Sequence, residues 1–194
     1  MSQFEFFMTF YSLLVGLAVA ELLLGFMNLL RHRQRPRLGL LTPLLGALVF
    51  LQLMALFIDA WMSLKSVEIS MMGLAVPTLI GVATFAASVL VVPRDIEEWP
   101  DLDDYFYRNR RIVLGLLFAV NLLILVHESP KVPSNGLPAY LLVNLTGFSL
   151  MTAAIFLRHR IAIAASLVAL ICLYLSVYSG TRFSLFRFFS YMVS

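Results

Sequence analysis

Apolar residues run almost unbroken along this chain, broken at intervals by short clusters of Arg, Pro and Gly. Six runs read as helices: 6–30, 42–63, 69–92, 112–126, 138–157 and 161–177. Crossing a bilayer takes ~20 apolar residues at ~1.5 Å of rise each, and each run reaches or approaches that length. The fourth is short in itself and is expected to begin inside the polar segment before it, as one continuous helix. None of the six carries the polar face that a soluble bundle turns toward water. The pattern predicts an all-α integral membrane protein with a single transmembrane domain over residues 1–194.

Lys and Arg favour cytoplasmic loops. One set of connections holds Arg31, Arg33, Arg35 and Arg37, then Arg94, Arg108, Arg110 and Arg111, then Arg158 and Arg160. The opposite set holds Lys65, Lys131, Arg182 and Arg187. The first set is therefore expected inside, with both termini external and the six helices closed into three hairpins, 1–2, 3–4 and 5–6. The start of the chain lacks a positive n-region, so the first helix is expected to be retained. Residues 180–194 mix aromatics with Arg182 and Arg187, which suits a short segment lying in the headgroup layer.

Composition sharpens the class. The chain is 61% hydrophobic and 13% charged, where a soluble domain is about one quarter charged. Its formal charge of +3 is small, and its arginines fall in separate clusters rather than one stripe, which excludes a nucleic-acid surface. A lone cysteine, Cys172, excludes an intrachain disulfide and is expected to pack inertly in its apolar run.

Within the runs a few polar side chains stand out. Glu21 lies ten residues before Arg31, which places it ~15 Å deep, near the middle of a ~30 Å hydrocarbon core. Gln52 and Asn121 have the same offset from their own boundaries at Thr42 and Arg111, so the three are expected to share one layer and face protein. Asp59 and Asn144 lie nearer the outer boundary, and Asn28 lies near the cytoplasmic end of helix one. Ala18, Glu21, Gly25 and Asn28 recur on one helical face, with Ser12, Gly16 and Ala20 as a small-residue stripe beside it. No Lys or Arg falls within a span, so no cation inside the spans is expected beside Glu21 or Asp59. Two readings follow. A neutral Glu21 donates a hydrogen bond to Gln52 or Asn121 and holds helices together, worth ~0.6–2 kcal/mol. Alternatively, Asn28, Glu21, Gln52, Asn121, Asn144 and Asp59 line a route for a proton or cation, since intramembrane acids are rare and costly.

Segment 93–111 places Glu97, Glu98, Asp101, Asp103 and Asp104 at the cytoplasmic face, beside an anionic leaflet that repels them. Pro93 ends helix three, and Pro100 followed by acids suits a helix start. The acids are expected to pair with arginines of the same chain, chiefly Arg31, Arg33, Arg35 and Arg37 or Arg108, Arg110 and Arg111. A partner protein is the alternative. The Asp-x-Asp-Asp spacing lacks the glycine of a calcium loop, so no metal is expected.

Catalysis finds little support. His32, His127 and His159 lie at membrane boundaries, no Gly-x-Ser-x-Gly elbow occurs, and His127-Glu128 lacks the second histidine of a zincin helix. The chain is expected to be no enzyme and to hold no cofactor.

The stretches Gly16-Leu17-Ala18-Val19-Ala20-Glu21, Leu41-Thr42-Pro43-Leu44-Leu45 and Glu98-Trp99-Pro100-Asp101-Leu102-Asp103-Asp104-Tyr105-Phe106 resemble an uncharacterised group of small bacterial multi-pass membrane proteins. The resemblance implies the bacterial inner membrane as location and carries no activity. The function expected from the residues is proton or cation movement through a channel or transporter, as a homo-oligomer in contact with membrane lipids. The alternatives are an accessory or scaffold subunit of a larger membrane complex, and a small-ligand or lipid-binding membrane protein.

Overall fold

The computed structural model describes residues 3–31, 37, 39–63, 71–134 and 136–178; the interfacial tail predicted at 180–194 lies outside them, as do Lys65, Arg33 and Arg35. Six α-helices follow in order: α1 (Gln3–Arg31), α2 (Leu41–Ser63), α3 (Met71–Val89), α4 (Leu102–Glu128), α5 (Leu137–Phe156) and α6 (Arg160–Tyr178). No strand occurs among the described residues. Five helices, all but α3, are long and apolar enough to cross a membrane. The apolar stretch of α3 is shorter, Gly73–Val89. α4 runs unbroken for 27 residues from the acidic segment into the fourth apolar run, so the charges at its start and its apolar body are one rod.

Exposure explains why this must be a multi-pass membrane protein. On α1, Phe7, Tyr11, Val15, Ala18, Leu22 and Leu29 are buried and recur on one helical face. Around the rest of the same helix Leu13, Leu17, Leu23, Leu24, Met27 and Leu30 are exposed. A soluble helix would carry charge there; only lipid solvates so much exposed apolar surface without penalty.

The described residues form two compact units, Met1–Leu117 and Phe118–Ser194. In the first, α1 packs most extensively on α3 and next on α2, its neighbour in sequence. Glycine makes these contacts close: a Cβ at Gly81 of α3 would lie 3.1 Å from the Cβ of Leu14, and one at Gly25 would lie 3.0 Å from the Cβ of Val92, just past the end of α3. The predicted small-residue stripe does not serve this purpose, because Gly16 and Ala20 are exposed and a Cβ at Gly16 would meet nothing within 4 Å. Gly25, at the edge of the buried face, admits the turn that follows α3.

In the second unit α5 packs on α6 over Met151, Ala154, Ile163, Leu167 and Leu170. Phe118 meets Phe148 with ring centroids 4.7 Å apart. Cys172 is exposed on α6, contrary to the packed position expected of it. Its run is apolar all round, so periodicity gave no way to tell its lipid-facing side from its core side.

Candidate functional site

α3 ends at Val89, and the chain then continues along α1 through Val92, Pro93 and Arg94. Pro93 is buried and cannot continue a helix. With Val92 pressed against Gly25, the next residues are carried to the level of Asn28, whose Nδ2 donates to the Arg94 carbonyl at 3.5 Å. From there the Arg94 side chain reaches to Glu21, and Nη2 donates to Oε1 at 3.2 Å. Glu21 therefore has a cation, supplied by a residue outside the spans. Depth counting along helices missed it because Arg94 belongs to no helix and acts through the length of its side chain.

The two partners differ in burial: the Glu21 side chain is 28% exposed and that of Arg94 73%. In water such a pair is worth ~0–1 kcal/mol. Beside hydrocarbon the alternative for Glu21 is an uncompensated acid, which costs ~2.5–3.5 kcal/mol or more near the bilayer centre. The pair borders an open cavity of ≈ 330 Å³ whose polar lining includes Arg31, Asn28 and Ser88. Leu24, Met27, Val89 and Val92 supply its apolar lining, and Leu24 and Met27 are themselves exposed. Its volume falls at the small end of ligand pockets.

The other residues of the expected polar route are placed separately. Gln52 is buried within α2 at 1% exposure, so it faces protein. Asp59 is half-buried near the far end of α2, within Coulombic range of the buried Tyr11, and close by in sequence Trp61 meets Phe4 edge-on at 5.1 Å. Asn121 and Asn144 belong to the second unit. There Asn121 Oδ1 accepts from the Tyr174 hydroxyl at 3.1 Å, and Asn144 Nδ2 donates to the Tyr140 carbonyl of its own helix at 2.8 Å. Of the six, Glu21 and Asn28 are brought to one cavity.

Among the described residues the acidic segment is tied by main-chain bonds to Arg37 and by Asp103 to the start of α2; the expected partners Arg33 and Arg35 lie outside them. Arg37 N–H donates to the Pro100 carbonyl at 3.0 Å, and Leu102 N–H donates to the Arg37 carbonyl at 3.1 Å. Asp101 caps α4, accepting from Asp103 N–H at 2.8 Å. Asp103, 7% exposed, crosses to the start of α2 and accepts from Leu41 N–H at 3.3 Å. Thr42 Oγ1 donates to the Leu102 carbonyl at 2.9 Å. An acid at a helix N-terminus meets the positive end of the dipole and unsatisfied N–H groups, so α2 compensates Asp103 as an arginine would. Gly39 permits this approach: its φ is +57°, and a Cβ there would collide with the Asp103 carboxylate. The side chain of Arg37 is exposed, as are Glu97, Glu98 and Asp104.

Beside this latch Arg108 lies over the Trp99 ring at 5.4 Å, and Trp99 meets Tyr105 edge-on at 5.2 Å. Among the described residues no group of three or more His, Cys, Asp or Glu side chains is placed to hold a metal ion. Comparison of the chain with protein-family models, with curated proteins and with solved structures gives no match.

Proposed function

We propose that this multi-pass membrane protein is a non-enzymatic binder of a membrane amphiphile, taken laterally from the lipid into the Glu21–Arg94 cleft. In this reading the Arg31 end of α1 lies at the cytoplasmic face of a bacterial inner membrane, following the distribution of Lys and Arg. The carrying observation is a charged pair beside an open cavity of ≈ 330 Å³ with exposed apolar residues in its lining. A carboxyl group that only held helices together would need no such space. Apolar walls with a few convergent polar groups are what a small-molecule site needs: the walls supply affinity, and the polar groups fix orientation.

Lipid retention tests the reading. Native mass spectrometry of the purified protein should show an amphiphile carried per chain. The double variant E21L/R94L should lose it while melting close to wild type, because replacing a whole ion pair by apolar residues is often neutral for stability. Wild-type protein that carries nothing, or a double variant that carries the same load, would refute the proposal.

A second reading, proton or cation movement, is favoured by the polar line of Glu21, Asn28 and Arg31 along one side of the same cavity. Its test is separate. Glu21→Gln should abolish flux in reconstituted vesicles while leaving the protein folded, since Gln keeps the shape of the acid but releases no proton. Vesicles in which wild type passes no current under a potential or pH gradient would end this reading and leave the binding proposal intact.

A further inference from the structure

We infer that the cleft reads the phosphate group of a phospholipid, with Arg94 and Arg31 as its ligands and Glu21 as the residue that positions Arg94. The inference rests on the amphiphile-binding reading and names the chemistry of the headgroup. A guanidinium presents five N–H donors in a planar fork. Glu21 engages Arg94 through Nη2, while the Arg94 side chain remains 73% exposed beside the cavity. A guanidinium held on one edge by a carboxylate can offer its remaining donors to a second oxyanion, and the phosphate that phospholipids carry matches that fork. Arg31 lines the same cavity from the last turn of α1, so the polar lining carries two guanidinium groups against one carboxylate. The surplus of one positive charge suits a phosphodiester, which carries one negative charge. Among the residues that line the cavity the charged ones are Glu21, Arg31 and Arg94; Ser88 comes from α3, and α2 places Asp59 toward Tyr11, ten residues along α1 from Glu21.

Glu21 then has a reason to be acidic that neither helix packing nor ion passage supplies. Without it, Arg94 would be free to extend into water, away from the cavity. Leu24, Val89 and Val92 offer the apolar wall for the first methylenes of the acyl chains. Free inorganic phosphate carries the same group without those methylenes, so the two sources of phosphate separate experimentally.

The test compares phosphatidylglycerol, diacylglycerol with the same chains, and inorganic phosphate, each titrated onto the full-length protein in detergent and read by native mass spectrometry. Phosphatidylglycerol should be retained at least about tenfold more tightly than diacylglycerol, the worth of one charge-assisted contact. Arg94→Gln and Arg31→Gln should each remove most of that preference without changing diacylglycerol retention. Glu21→Gln should weaken phosphatidylglycerol by several-fold, and the loss should be absent when Arg94 is already Gln, as a positioning role requires. Equal retention of phosphatidylglycerol and diacylglycerol would overturn the phosphate assignment while sparing the amphiphile cleft. Retention of neither would sink both. Millimolar inorganic phosphate that displaces phosphatidylglycerol from wild type but not from Arg94→Gln would overturn the lipid as source and leave a free anion as the ligand.

Discussion

Both units of this chain satisfy many polar residues on their own helices, Thr78, Thr84 and Ser88 in the first as Asn144 and Ser149 in the second, and they differ in what the remaining polar groups do. In the second unit most satisfy themselves locally. Asn144, Thr146, Ser149, Thr152 and Ser166 each donate to the carbonyl four residues back on their own helix, and Asn121 with Tyr174 makes a contact between helices. Such bonds silence a polar group in hydrocarbon but set no position for a neighbouring element. In the first unit the decisive polar groups reach across elements: Arg94 to Glu21, Asp103 to the start of α2, and Thr42 to α4. The reaching groups of the first unit sit where non-helical backbone meets helix ends. The connections before α2 and after α3 bring donors and acceptors that no helix can satisfy alone, and the cavity opens where one of them turns.

If that contrast is real, substitutions should hurt in proportion to the distance over which each group acts. Arg94→Leu should cost most, about 3 kcal/mol in bicelles, because it strands Glu21 beside lipid. Gly39→Val should follow at about 2 kcal/mol, combining a left-handed backbone that a β-branched residue resists with the displacement of Asp103. Asn144→Ala should be smallest, within about 0.5 kcal/mol, since the lost bond lies inside one helix and competes with the backbone's own ladder. Thermal unfolding of the three variants, monitored by circular dichroism, orders them. A loss at Asn144 as large as that at Arg94 would erase the distinction between the units.

Much of the fold was legible because hydrocarbon is an unforgiving solvent. The apolar runs delimit α1, α2, α5 and α6 to within a few residues, and Pro100 with its following acids marks the start of α4. The site was half legible. Glu21 and Asn28 announce themselves as polar residues on one face of an apolar helix, and both line the cleft. Arg94 could not be found by counting along helices, because its role depends on the path of the chain after Val89 and on Gly25 admitting Val92. A signal was available in principle. Gly25 stands four residues beyond Glu21 on the same face, and Arg94 directly follows the proline that ends α3, where a long side chain can reach back into the membrane. In the acidic segment the start of α2 adds N–H groups and the positive end of a dipole for Asp103, which no count of Lys and Arg records.

The claim on which the account turns is that Glu21 and Arg94 act as one unit across α1 and the turn after α3. A double-mutant cycle with Glu21→Gln, Arg94→Gln and the pair together, followed by unfolding in bicelles, measures it directly. The predicted coupling is about 1–3 kcal/mol, with the double variant less damaged than the sum of the singles. A coupling within about 0.3 kcal/mol of zero would mean that the two residues act independently, and would contradict the account.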